Sequence, residues 1–178
     1  MKFSVITSVL FMAVSVSAGS FFQQQSIDVR SDVGAGLTKV PGANPLFYCG
    51  DNSKDIVKIQ SLNLTPNPPL PGKTLVVDAV GSLKSAITKG AKVDVSVKYG
   101  LITMFKQTAD ICDNLNQVDL ECPVKAGKLT LTKAIDIPNQ IPPGTYVVTA
   151  NAYMGDGRPI LCVQGAVRFT LSGKAVFI

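Results

Sequence analysis

The sequence predicts an all-β domain, an immunoglobulin-like β-sandwich of two antiparallel sheets. Three observations support this fold class. Short strand-like runs separated by turn residues fill the chain between residues 46 and 171. Several runs alternate apolar and polar side chains, as strands with one buried face do. No segment in that span has convincing helical periodicity. A closed barrel is the alternative arrangement of such strands.

Residues 1–19 have the three parts of a secretory signal peptide. Lys2 gives a basic start, the run over 5–16 is apolar apart from Ser and Thr, and small residues follow at 17–20. The apolar run is shorter than the ~20 residues of a membrane-spanning helix. We therefore expect the chain to enter the secretory pathway and to be secreted or delivered to the vacuolar lumen.

The rest of the chain divides into three parts. Residues 20–45 contain few bulky apolar side chains and are predicted to be a flexible lead-in or pro-segment. The sandwich is predicted over residues 46–172, and residues 173–178 are predicted to be a tail.

The strands of the sandwich are predicted in order along the chain. They cover residues 55–64, 74–83, 92–99, 101–107, 129–137, 146–154 and 160–171. The run over 92–99 is the clearest, because its odd-numbered residues from Val93 to Tyr99 are apolar and share one face. The proline-rich segment 65–72 cannot lie in a central strand, since proline donates no ladder hydrogen bond.

The run over 129–137 has one exception to its alternation. Its apolar face consists of Leu129, Leu131, Ile135 and Ile137. Lys133 interrupts that face, and polar residues lie opposite.

Cysteine usage indicates disulfides. The chain has four cysteines, and an even count in a secreted protein predicts two disulfides with three possible pairings. A zinc site is the alternative, but there is no C-x-x-C pair and no histidine to support it.

The absence of histidine also bears on catalysis. Histidine is the usual partner of a Ser or Cys nucleophile, so the familiar triads and dyads are excluded. The 12 acidic residues are scattered, and no pair of them is recognisable as an acid/base couple, although facing carboxylates are not excluded by sequence. We therefore predict a protein that is not an enzyme, with no catalytic residue, no metal site and no cofactor.

The formal net charge of +5 favours anionic partners. Nucleic acid is disfavoured, because no Lys/Arg cluster with interleaved aromatic residues is present. Anionic lipid headgroups fit better, which predicts transient contact with anionic membranes.

Six motifs in order carry a resemblance to a known family. They are Tyr48-Cys49-Gly50-Asp51, the segment 64–72, Val95 to Gly100, Asp110-Ile111-Cys112, Cys122-Pro123, and Ile141 to Tyr146. Together they resemble the ML lipid-recognition family, and within it the fungal phosphatidylglycerol/phosphatidylinositol transfer proteins. That group is related to the soluble Niemann–Pick type C sterol carrier.

The resemblance implies two sheets that splay apart to hold the hydrocarbon of a lipid, which is cargo and not a cofactor. It also implies disulfides Cys49–Cys162 and Cys112–Cys122. The expected function is non-enzymatic transfer of phospholipids between membranes by a monomer. Sterol transport is one alternative, and a secreted lipid-sensing module that acts through a protein receptor is another.

Candidate lipid-binding residues complete the expectations. By similarity to the sterol carrier, the portal candidates are Phe105, Ile137 and Ile141. The candidates for the cavity wall are Tyr99, Leu101, Val148 and Phe169.

Overall fold

A computed structural model describes residues 36–115 and 120–178, so the predicted signal peptide and most of the predicted lead-in lie outside the described residues. The strands are β1 (Phe47–Tyr48), β2 (Val57–Thr65), β3 (Thr74–Leu83), β4 (Lys92–Tyr99), β5 (Ile102–Asp110), β6 (Gly127–Asp136), β7 (Gly144–Tyr153), β8 (Pro159–Phe169) and β9 (Ala175–Phe177). A short helix, α1 (Ile111–Asn114), follows β5. The predicted all-β class is confirmed.

The strands form two antiparallel sheets. The first has the order β1-β8-β7-β4-β5, with β9 also paired to β8, and the second has the order β2-β3-β6. Tyr48 of β1, Leu62 of β2 and Val163 of β8 pack in one cluster, so β2 lies over the β1–β8 side of the first sheet. Strands β5 and β6 are therefore the edge strands of the opposite side, which we call the open side.

The largest cluster of buried apolar residues in the described part of the chain fills one end of the sandwich, which we call the closed end. Its buried residues are Ile56, Leu83, Ile87, Ala91, Leu115, Val124, Met154 and Ile160. Ile87, Leu115 and Val124 lie in connecting segments. The other five lie at or next to the beginnings of β2, β4 and β8 and the ends of β3 and β7, which meet here because the pairings are antiparallel.

Two disulfides tie the fold together, and they are the pairs that the family resemblance implied. Cys49 is joined to Cys162 of β8 with a Cα–Cα distance of 5.4 Å. Cys112 of α1 is joined to Cys122, with a Cα–Cα distance of 5.5 Å. Cys122 also lies against the core of the closed end.

The folded part of the chain begins before residue 46, where the sandwich was predicted to start. The backbone N–H of Leu62 donates to the Pro41 carbonyl at 2.8 Å, so the lead-in covers the edge of β2. The buried Asn44 amide donates to the Leu62 carbonyl at 2.8 Å, and Val40 is fully buried. This packing was hidden from sequence because a few backbone and amide hydrogen bonds hold a segment with little apolar content.

The predicted tail also contains structure. Ala175 of β9 pairs with Phe169 of β8 and is buried, although the strand is only three residues long. Within the described part of the chain, no helix has the length and apolar character needed to cross a membrane.

Candidate functional site

An apolar cavity of about 370 Å³ lies between the two sheets, beyond the core of the closed end. From the first sheet it is lined by Val95, Val148, Ala150, Val163, Gly165, Ala166 and Val167. From the second sheet it is lined by Leu62, Leu64, Leu75, Val77 and Ile135, and from the connecting segments by Pro45, Leu46 and Pro69. Its volume falls in the range of about 300–1,000 Å³ that is common for small-molecule sites.

Small residues on the first sheet help to leave this space. Ala150 on β7 and Gly165 on β8 project little or no side chain into the gap between the sheets. A Cβ atom on Gly165 would come within 2.7 Å of Leu46 Cδ2, so the missing side chain lets Leu46 form part of the wall. The result is an apolar pocket with few hydrogen-bonding demands.

The cavity reaches solvent on the open side. Ile135 on β6 and Val148 on β7 both line it, and they remain 44% and 38% exposed. Strands β5 and β6 belong to different sheets and do not pair with each other. We call this gap between β5 and β6 the mouth.

An aromatic row continues the inner face of the first sheet past the cavity. The ring centroids of Tyr99 and Tyr146 are 5.1 Å apart, and those of Tyr146 and Phe169 are 5.6 Å apart. The Tyr99 hydroxyl donates to the Pro143 carbonyl at 3.0 Å, and the Tyr146 hydroxyl donates to the Pro142 carbonyl at 2.9 Å. Desolvation by burial, and to a lesser degree the neighbouring Tyr99, raise the pKa of Tyr146 above its ordinary value. The row is thereby fixed to the Pro-Pro turn.

Comparison with known proteins identifies the family. Residues 43–169 match the family model described as the ML domain. The chain belongs to the ML domain family. Membership makes this ML domain a non-enzymatic binder, as predicted.

Two curated relatives align with most of this chain. A phosphatidylglycerol/phosphatidylinositol transfer protein of Aspergillus fumigatus is 47% identical over 153 residues, which are 86% of this chain and 85% of that protein. A protein of the same name from Aspergillus oryzae is 47% identical over 169 residues, 92% of this chain and 94% of that protein. The predicted resemblance to this fungal group is confirmed.

A solved structure supports the fold. A Niemann–Pick type C2 protein from the Japanese carpenter ant superposes with a TM-score of 0.53 at 10% identity, covering 69% of this chain and 97% of that one. At that identity the likeness concerns the architecture alone.

The predicted wall residues of the ML domain fall into three positions. Val148 lines the cavity. Tyr99 and Phe169 lie beside it in the aromatic row. Leu101 lies elsewhere, since it is 100% exposed at the turn between β4 and β5 and does not contribute to the wall. The turn at Gly100 directs the chain away from the inner face before β5 begins.

The predicted portal residues are also dispersed. Phe105 is on the inner face of β5, opposite Val97 of β4 and 46% exposed at the mouth. Ile141 packs against the buried cluster of Val167 and Phe169. Ile137 follows β6 and lines a separate polar pocket of about 290 Å³ with neighbours that include Lys73.

Sequence reasoning missed the wall that the second sheet supplies. Leu62 and Leu64 of β2, and Leu75 and Val77 of β3, were assigned to strands but not to the cavity. Their alternation along two predicted strands was the available signal. It did not separate cavity from core, because both require the same apolar residue types.

Proposed function

We propose that this ML domain carries phospholipids between membranes, with phosphatidylglycerol and phosphatidylinositol as its cargo. The observation that carries the proposal is the apolar cavity between the sheets, open to solvent on one side. The names of the two Aspergillus relatives support the choice of cargo.

The physical reason is the cost of exposing hydrocarbon to water. Each acyl CH₂ contributes about 0.8 kcal/mol to membrane retention, so a two-chain lipid hardly leaves a bilayer unaided. The cavity offers chains an apolar surface in which almost no polar group has to be satisfied. A polar headgroup stays hydrated when it remains at the mouth.

The turn between β4 and β5 supports contact with membranes. Leu101, Ile102 and Met104 form an exposed apolar patch, which we call the β4–β5 tip. Lys98 and Lys106 flank it and are exposed. Apolar side chains beside lysines suit the interface of an anionic bilayer, where each basic residue adds about 1 kcal/mol of attraction.

The two disulfides suit a protein of the secretory pathway, because disulfides persist in oxidising compartments. We propose that the mature chain acts as a monomer outside the cell or in the vacuolar lumen. There it would take up lipid from one membrane and release it to another.

Native mass spectrometry of the secreted protein, followed by extraction of its ligand, tests the cargo. We expect a stoichiometric phospholipid of the phosphatidylglycerol or phosphatidylinositol class. If the extracted ligand is a sterol, the protein is a sterol carrier instead. Transfer of labelled lipid between protein-free vesicles tests the activity. If the protein fails to transfer lipid and forms a stable complex with a receptor protein, the result would favour the alternative of a secreted lipid-sensing module.

A further inference from the structure

The inner faces of the sheets have a nearly uniform composition. Side chains alternate along each strand, and directly paired residues share a face. In strands β2 to β8 as the structure describes them, the inward positions hold apolar residues, glycine or tyrosine with two exceptions. The exceptions are Lys133 on β6 and Gln107 on β5.

Both exceptions lie next to the cavity. Lys133 pairs with Val77 and is two residues from Ile135, and both of those neighbours line the cavity. Gln107 pairs with Val95, which also lines the cavity. Because β5 and β6 are the edge strands of the open side, the two polar residues stand on the two edges of the mouth.

Lys133 differs from the other basic residues of the strands. It is half-buried on the inner face, whereas Lys128 on the same strand is exposed and pairs with Ser82 on the outer face. A lysine can lay its hydrocarbon stem along apolar surface while its ammonium group stays near water. At Lys133 this places a positive charge at the mouth, beside hydrophobic walls.

An inward lysine on an edge strand also has a structural explanation, since it discourages pairing with another strand edge. That role requires a charge on the edge, but it sets neither the sign of the charge nor its place beside the cavity. A phospholipid with its chains in the cavity leaves its phosphodiester at the mouth. A negative phosphate at that place can accept a charge-assisted hydrogen bond from the ammonium group of Lys133.

We propose that Lys133 binds the phosphate of anionic phospholipids at the mouth and so selects them over zwitterionic lipids, with Gln107 hydrogen-bonding the headgroup from the opposite edge. This assignment rests on the proposed function, because it needs a phospholipid in the cavity. The selectivity arises because the trimethylammonium of phosphatidylcholine already neutralises its own phosphate.

The experiment compares uptake of two lipids by the full chain. Wild type, Lys133→Gln, Lys133→Arg and Lys128→Gln are each incubated with vesicles of equal parts phosphatidylglycerol and phosphatidylcholine, and the bound lipids are counted by native mass spectrometry. We expect Lys133→Gln to lower the ratio of bound phosphatidylglycerol to phosphatidylcholine by about tenfold, as loss of one charged hydrogen bond does. Lys133→Arg and Lys128→Gln should keep the wild-type ratio.

The outcomes separate the two proposals. An unchanged ratio in Lys133→Gln, with lipid still bound, overturns the phosphate site and leaves the carrier function standing. An equal fall in Lys133→Gln and Lys128→Gln also overturns it, because general attraction to the vesicles would then explain the preference. Equal loss of both lipids in Lys133→Gln counts against it as well. A wild-type protein that binds neither lipid overturns the carrier function, and the phosphate site with it.

Discussion

Ala150 is the residue at which the cavity can be changed with least disturbance. It lies on β7 in the cavity wall, so a larger side chain there points into open space. We expect Ala150→Phe to reduce lipid uptake by on the order of tenfold or more, because the ring takes up space for methylene groups of the cargo, each of which contributes about 0.8 kcal/mol when buried. Uptake is measured with labelled lipid in vesicles.

Ala134→Phe is the matched control. Ala134 is exposed on the outer face of β6, where the same change in size leaves the cavity untouched. If both variants bind lipid as well as wild type, the cargo does not occupy this cavity.

Phe169 is a single residue that we expect to stabilise the fold. It is only 6% exposed and stacks edge-on against Tyr146. Phe169→Ala should lower the free energy of unfolding by about 3–5 kcal/mol, the usual cost of truncating a buried aromatic residue. Urea denaturation measures this, with the exposed Leu171→Ala as the control, which should stay within about 0.5 kcal/mol of wild type. A small effect of Phe169→Ala would mean that the aromatic row does not hold this end of the sandwich together.

At the scale of elements, the β4–β5 tip is separated from the cavity wall and can be tested alone. Leu101→Asp removes apolar surface and adds a charge that anionic lipid repels. We expect binding to vesicles containing phosphatidylglycerol to fall by about tenfold or more, since burying a leucine side chain contributes about 1.5–3 kcal/mol. Co-sedimentation with vesicles measures the bound fraction.

Thr88→Asp introduces the same charge at the opposite end of β4. Thr88 is exposed in the turn before that strand, so its replacement should leave vesicle binding close to wild type. Equal losses in both variants would show that net charge, and not the tip, governs membrane contact.

Most elements were predictable from local patterns, and the exceptions have a physical cause. The alternation in β4 and the proline-rich segment 65–72 located strands and breaks correctly, because strand period and proline chemistry are local properties. The lead-in around Asn44 was not predictable, since its order comes from hydrogen bonds to β2 across 18 positions of sequence. Strand β9 was missed because three residues are too few to show a period.

The site was predictable only in part for a related reason. Of the candidates named from the sequence, Val148 lies in the cavity wall and Phe105 lies at the mouth. The sequence did not indicate that the Leu101 side chain points away from the sheet. Its direction depends on the backbone path of the turn between β4 and β5, which residue types alone do not determine. Lys133 was visible as a break in an apolar face, but its place at the mouth depends on which strands form the sheet edges.

At the scale of the whole molecule, the two disulfides contribute unequally. Cys49–Cys162 spans 113 residues of sequence, whereas Cys112–Cys122 spans 10. A longer closed loop restricts the unfolded chain more, about 4.7 kcal/mol for ~100 residues against about 3 kcal/mol for ~15. Replacing Cys49 and Cys162 together by Ser should therefore destabilise the protein more than replacing Cys112 and Cys122.

Chemical denaturation of both double variants measures the difference. The second pair serves as the control for loss of a disulfide in itself. A larger loss from Cys112 and Cys122 would indicate that packing of α1 against the closed end, and not loop length, determines how much each bridge stabilises the fold.

The covering of β2 by the lead-in affects how cargo can enter. Backbone hydrogen bonds from Leu62 and Leu64 to residues 41 and 43 seal one long side of the sandwich, while β5 and β6 share no such bonds. The sandwich is therefore joined by backbone hydrogen bonds along its β2 side and is unjoined along its β5–β6 side. We therefore expect acyl chains to enter sideways between β5 and β6, because no backbone hydrogen bond has to break there.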